Sequence, residues 1–250
     1  MKRNKMKVGS INPLPIAPIV LVGANVNEKP NYMTVGFVNG VNIKPPIICV
    51  SLNKRHHTPK GIIENGTFSI NVPSANFVTK IDYCGLVSGK TTNKSNIFTN
   101  FYGELETAPM IEEFPITCEC KYIDKKIEFA MDTVYFGEVH QVYINEEIIK
   151  GNKEIDIIKA NPLITGIDNL YRTVGKKVGK AYEIGWQYMS EEGEALSDEF
   201  IDSYKCQLVE QSVQPALSIC YQEAGNNILQ KIGQAILAIT QYAEEFGISP

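Results

Sequence analysis

No uninterrupted apolar stretch in this 250-residue chain reaches the roughly 18 residues that a membrane-spanning helix needs, so no membrane span is expected. Positive charge is not in excess: 24 Lys and Arg stand against 28 Asp and Glu, a net charge of -4, with a pI near 5.5. That balance excludes the broad basic field used in non-specific nucleic-acid binding, and any anion site has to be local. There is no G-x-G-x-x-G fingerprint and hence no sign of a separate Rossmann nucleotide domain, which leaves a choice between NADH and NADPH unreadable. Local signatures of a Ser-His-Asp or Cys-His arrangement are missing, as are paired carboxylates, so no side-chain catalytic residue is expected. The six cysteines are scattered without small-disulfide-domain spacing, which favours a reducing cytoplasm.

The N-terminus MKRNKMKVGSINPLPIAPIVLVGANV places basic residues before an apolar run, in the manner of an export signal. Pro13, Pro15 and Pro18 interrupt that run, which passes directly into a β-type Ile-Val-Leu-Val pattern, so it reads as a strand and no export signal is expected.

What is present is ample core-forming material, 44% hydrophobic residues, arranged mostly as short strands. IVLVGANV, YMTVGFVNGV, IICVSLN, TFSINV, ITCECKY and DTVYFGEVHQVYI run from Ile19 to about Ile144, separated by Pro, Gly, Asn and Asp clusters. Short helices interrupt them: Thr58 is the expected N-cap of one, Pro59 suits its first position, and Gly66 can end it. Six short strands with few long helices predict a mainly β closed barrel, not a βαβ sheet. After about Gln187 the chain turns acidic, and Ile228, Ile232, Ile236, Ile239, Ala243 and Phe246 recur at helical spacing. Residues 1–187 are therefore expected to form one domain and 188–250 an α-helical extension, with helices over about 197–222 and 225–246, its stripe packing on the barrel or on a second subunit.

Two segments carry polar chemistry. SLNKRHHTPK, Ser51 to Lys60, gathers Lys54, Arg55, His56, His57 and Lys60 around a predicted helix start. Unpaired N–H donors, the positive end of the helix dipole and nearby cations all favour a phosphate there; the bland alternative is a solvated basic turn. CGLVSGKTTNK, Cys84 to Lys94, resembles a triphosphate-binding loop, but the first glycine slot of that pattern holds Cys84 and the nearer Gly85 leaves the gap one residue short.

Other candidates are weaker. His56 and His57 point opposite ways on extended chain and have no ligand partner at metal spacing, so no metal is expected. Cys118 and Cys120 share a strand face with Ile116 and Tyr122 and read as core filling. In TFSINV, Phe68, Ile70 and Val72 oppose Thr67, Ser69 and Asn71, whose polar face is either solvent-exposed or a ligand wall. Polar groups at the ends of otherwise apolar strands suit a planar polar heterocycle.

The runs PLPIAPIVLVGA, NYMTVGFVNGV, KPPIICVSLN with HHT directly after it, NGTFSINVPS, DYCGLVSGKTTNK, TAPMIEEFPITCECKY, YFGEVHQVYI and NPLITGIDNLYRTVGKKVGKAY occur in the order of a known family. Over about residues 10–186 the chain resembles the flavin reductase-like family with the FMN-binding split barrel, closest to its flavoredoxin branch. The resemblance implies a six-stranded antiparallel split barrel, usually homodimeric, with FMN near the subunit interface. It implies that Met33 and Thr34 lie by the isoalloxazine ring, that Ser51, Leu52 and Asn53 hydrogen-bond to it mainly through backbone, and that Asn71 reaches the ring or ribityl chain. His57, Thr58, Ser88, Gly89 and Lys94 would hold the phosphate or ribityl end, with Arg55 a further cation. The family pattern often has Arg and an aromatic at His56-His57, and Asp-Lys-Phe at Asn93-Lys94-Ser95. The implied activity is hydride transfer from NAD(P)H to flavin and electron delivery to an acceptor. A carrier that exchanges electrons with a redox protein partner without using NAD(P)H is the alternative, and a split barrel that has lost flavin is a third.

Overall fold

The computed structural model describes residues 5–151, 154–181 and 184–185. The helices expected over 197–222 and 225–246, and the 188–250 extension they would form, lie outside the described residues. Every strand and helix among the described residues belongs to the compact unit that ends at Lys176.

In chain order the strands are β1 Ile16–Pro18, β2 Val20–Val26, β3 Lys29–Val35, β4 Val38–Asn42, β5 Ile47–Asn53 and β6 Thr67–Val72, with α1 Thr58–Asn65 between the last two. Next come α2 Val78–Leu86, β7 Asn100–Phe101, β8 Met110–Ile111, the long pair β9 Ile116–Glu128 and β10 Asp132–Ile144, α3 Ile157–Ala160, β11 Leu163–Gly166 and β12 Tyr171–Thr173. β3-β2-β6-β9-β10-β5-β4 form one sheet, antiparallel throughout, while β1-β11-β12 and β7-β8 form two smaller ones.

The main sheet has seven strands, one more than the linear pattern predicts. The difference arises at YMTVGFVNGV, which breaks at Gly36–Phe37 into β3 and β4. These two halves stand at opposite ends of the strand order, which one straight strand cannot do; the sheet therefore curls until its ends meet through a two-residue connection.

Inside the curl, Val20, Val22, Ala24, Met33, Val35, Val50, Leu52, Phe68, Ile70, Cys118, Cys120 and Tyr135 form one core. The alternation of β6 and β9 puts Phe68, Ile70, Cys118 and Cys120 there, as the period-2 pattern predicts. β2 is apolar on both faces because Ile19 and Leu21 join a second core with Tyr32, Ile81, Cys84, Phe98 and Phe114, under α2 and the segment after it.

The polar face of β6 is neither solvent nor ligand wall. Ser69 and Asn71 are fully buried beneath the chain at 109–111. Ser69 donates to the Pro109 carbonyl; the Asn71 amide donates to Leu21 O (3.1 Å) and Ser69 Oγ (2.8 Å), and its oxygen accepts from Ile111 N–H (3.0 Å). On β9 the fully buried Glu119 accepts from the N–H groups of Glu104 and Leu105 (2.9 Å each) and from the Tyr143 hydroxyl (3.0 Å), pinning the same covering segment. Buried polar groups that are satisfied in this way hold structure together and leave nothing to offer a ligand.

Candidate functional site

α1 begins differently from the sequence expectation. Its N-cap is His57, which makes no side-chain cap bond, and Thr58 is the first helical residue. The Thr58 hydroxyl is taken instead by a tertiary contact: it accepts from the Asn31 amide at 2.7 Å. No acidic residue occupies the first turn, so the positive end of α1 is balanced by nothing on its own helix. The expected C-cap holds: Gly66 adopts φ 65° and donates to Ile62 O, a left-handed conformation that favours glycine.

Facing this helix start is the Cys84–Lys94 segment, and it is not a triphosphate loop. The N–H of Lys90 donates to Ser88 Oγ (3.2 Å), and those of Thr91 and Thr92 to Ser88 O (3.1 and 2.9 Å). The amides that would cradle a phosphate in that motif are thus spent on the turn itself. Gly89 is required by close approach: a Cβ there would collide with the Asn31 amide oxygen and come within 3.0 Å of His57 Cδ2.

Lys94 is the most unusual group in the fold. It is only 3% exposed, and its ammonium donates to Tyr32 O (3.0 Å) and Cys84 O (2.7 Å). Among the described residues no ion pair engages it. Burial accordingly holds its pKa below the ordinary lysine value, with Cys84 opposing. The Cys84 thiol is pushed up to about 11 by its own burial, so it stays a neutral thiol and supplies no counter-charge. His56 and His57 are both held below the ordinary imidazole value, first by burial and then by Lys94 and Lys90 for His56, and by Lys60 and Lys90 for His57. A buried cation without an anion is costly, and Lys94 is the one buried cation among the described residues.

A narrow crevice of about 30 Å³ joins these parts. It brings together Met33, Thr34, His57, Thr58, Ser88, Gly89 and Lys94 from the sequence expectations, and adds Asn31, His56, Cys84, Gly85 and Val87. The Thr34 hydroxyl is engaged, donating to Ile81 O at 2.5 Å. Asn31 carries no local signal in the sequence, since its importance lies in reaching Thr58 across 27 residues. His56 is visible there as one of the clustered cations.

Other expected residues lie outside the crevice. Leu52 points into the barrel core, and the Ser51 N–H is donated to Phe37 O (2.9 Å). Asn53 accepts from the N–H groups of Arg55 and His56, shaping the turn that delivers His56 and His57. β4 pairs with β5 only as far as Val50, so beyond Ser51, whose N–H goes to Phe37 O, that edge of β5 has no strand beside it. Arg55 is exposed. Asn71 lies outside the crevice, with its amide N–H groups and its oxygen bonded beneath 109–111. Among the described residues no three His, Cys, Asp or Glu side chains converge as a metal set, and no helix is long and apolar enough to cross a membrane.

Comparison with known proteins fits this arrangement. The family model described as "Flavin reductase like domain" matches residues 16–164. The crystal structure of flavoredoxin from Methanosarcina acetivorans is 42% identical, covers 74% of this chain and all of its own, and superposes with a TM-score of 0.69. Flavoredoxin of Desulfovibrio vulgaris (Miyazaki F) is 33% identical over 72% of this chain and 99% of its own, with a TM-score of 0.68. An uncharacterized protein of Archaeoglobus fulgidus is 27% identical over 131 residues, 52% of this chain and 73% of that one. The curled antiparallel barrel and these relationships together establish that the chain belongs to the flavin reductase-like family, in its flavoredoxin branch.

Proposed function

We propose that the protein is an FMN-binding oxidoreductase that takes a hydride from NADH or NADPH and passes electrons to an acceptor. The observation that carries this reading is the buried, unpaired Lys94 ammonium in a crevice that also holds the uncapped start of α1 and the close-packed Gly89. A monophosphate there would supply the missing negative charge, so the residues fit the polar end of FMN. His57, Thr58, Ser88, Gly89 and Lys94 would hold that end, Met33 and Thr34 would continue toward the ring, and Arg55 would add a cation at the rim. The backbone of Ser51, Leu52 and Asn53 would meet the ring along the edge of β5 that no strand covers.

When bound, the flavin supplies hydride acceptance and onward electron transfer; the protein's share is to position it, exclude competing chemistry and tune it by hydrogen bonds. Cys84, held as a neutral thiol, contributes packing and no nucleophile. A homodimer belongs to the same proposal: Phe37, Val41 and Ile43 are exposed apolar side chains along the β4 edge, a surface that a second copy would cover. The free thiols of Cys49, Cys84, Cys118 and Cys120 suit a cytoplasmic setting.

A second reading is favoured by the flavoredoxins at 42% and 33% identity: a carrier that receives electrons from a redox protein partner without using NAD(P)H. Anaerobic stopped-flow mixing of FMN-loaded protein with NADH and with NADPH separates the two. Bleaching of the flavin absorbance by either nucleotide supports the reductase; no bleaching by both leaves the carrier. If the purified protein is colourless and FMN fluorescence is unchanged by it, both readings fall.

A further inference from the structure

Ser69 and Asn71 on β6 and Glu119 on β9 belong to one row of buried polar side chains, and all three are hydrogen-bonded. Thr117, the register partner of Asn71, belongs to the same row and differs. It is only 2% exposed, yet its hydroxyl makes no hydrogen bond among the described residues. A buried hydroxyl without a partner is costly, and this one lines a cavity of about 280 Å³ that shares no residue with the Lys94 crevice. Phe101, Phe114 and Tyr143 wall the cavity, with Ile111 and Ile144 between them. Phe101 and Tyr143 meet edge to face, their centroids 5.6 Å apart and their planes at 87°.

Besides Thr117, the polar side chains of the cavity are Asn145 and Glu112. Asn145 gives its backbone N–H to Pro115 O (3.0 Å), while its side chain makes no cap bond to the short turn that it begins. Glu112 and Glu113 are neighbours with opposite fates. Both Glu113 oxygens accept from the Thr99 N–H (3.0 and 3.1 Å), whereas no ion pair engages Glu112 among the described residues. No Lys, Arg or His lines the cavity among the described residues. Behind the Tyr143 ring, the buried Glu119 carboxylate accepts the phenol proton (3.0 Å), which makes that ring richer in electrons. A free carboxylate without an opposing cation repels anions, and aromatic walls favour a weakly hydrated cation over a strongly hydrated one. A hydroxyl, an amide oxygen and a carboxylate together can accept several N–H bonds. We propose that this cavity binds a small organic ammonium ion with an apolar or aromatic body. Glu112 and the aromatic walls hold its charge, and Thr117 and Asn145 accept its N–H groups. The site stands whether or not FMN binds, because the two cavities have no residue in common.

The full chain as purified is titrated calorimetrically with phenethylamine and with its neutral counterpart 2-phenylethanol, beside Glu112→Gln and Thr117→Val variants. The amine is expected to bind at least about tenfold more tightly than the alcohol, with a Kd of about 1 mM or below. Glu112→Gln, an exposed change that keeps side-chain volume, should weaken the amine by about tenfold and leave the alcohol unchanged. Thr117→Val, which replaces the hydroxyl by a methyl, should weaken the amine by about threefold. An amine that binds no better than the alcohol, or that is indifferent to Glu112→Gln, overturns the proposal. FMN is titrated into the flavin-free parent and Glu112→Gln proteins by fluorescence quenching. Equal FMN affinities keep the two sites separate; a loss of FMN binding on Glu112→Gln would overturn a site independent of the flavin. If the parent binds no FMN, the FMN reading fails and the amine titration still decides. Thermal melts check that the variants fold, and should the buried Thr117→Val protein not fold, Glu112→Gln decides.

Discussion

Two polar clusters are buried against the outer face of this barrel wall, and they differ in one respect. Beneath the 109–111 segment, Ser69 and Asn71 spend every polar atom on Pro109, Leu21 and Ile111, with no net charge. At the barrel end, Lys94 is almost as buried but carries a full charge that two carbonyls solvate and no anion neutralises. Polarity in a barrel wall is therefore a poor guide to a binding site; uncompensated charge is a better one.

The largest test of that contrast is Asn71→Leu. It strands Leu21 O and Ile111 N–H in the interior and is expected to cost about 2–4 kcal/mol in urea denaturation, while FMN affinity of the folded fraction is unchanged. Lys94→Met should do the reverse. Stability moves by no more than about 1 kcal/mol, because an unpaired buried cation contributes little to the fold, whereas FMN binding weakens by about 100-fold, roughly 2.7 kcal/mol. A Lys94→Met protein that binds FMN as tightly as the parent would remove this loop from the site.

A smaller effect is expected from Gly89→Ala, whose methyl meets the Asn31 amide and His57. The Asn31–Thr58 contact must give way, so FMN should bind about tenfold more weakly, roughly 1.4 kcal/mol, in the same fluorescence titration. The smallest effect is on pH dependence. His56 and His57 have folded pKa values below the unfolded value of 6.5, so the unfolded chain binds more protons in that window and the flavin-free protein loses stability as pH falls below 6.5. Bound FMN, by adding negative charge, should flatten this decline. Thermal melts from pH 8 to pH 5.5, with and without FMN, check it; a His56→Gln, His57→Gln protein with the same slope as the parent would refute the assignment.

Much of the barrel is legible in the linear pattern. Strict alternation in TFSINV and ITCECKY foretells which residues of β6 and β9 face the core, and Pro59 with Gly66 brackets α1. The cations at Lys54–Lys60 and the loop at Ser88–Lys94 read as two halves of one anion site, and the fold does bring His57, Thr58, Ser88, Gly89 and Lys94 to a single crevice. Three features are not legible. In YMTVGFVNGV a single glycine, with no turn cluster around it, is all that marks the division at Gly36–Phe37. Thr58 looks like an N-cap by residue type, yet its hydroxyl answers to Asn31. Asn71 looks like a ligand-facing polar residue, and only a segment 40 positions away decides that it is sealed.

The sequence by itself determined the class of structure and the local character of its parts. Side-chain period, turn residues and apolar content act over a few positions, and they sufficed for short antiparallel strands, a small helix start and two cationic segments. The tertiary structure decided which polar groups are satisfied and which charges are left over. That outcome depends on contacts between residues far apart in the chain: Lys94 on Tyr32, Asn31 on Thr58, Asn71 on Ile111. Whether a buried group is paired is a property of its surroundings, and it was this pairing, absent at Lys94 and complete at Asn71, that separated the candidate site from the scaffold.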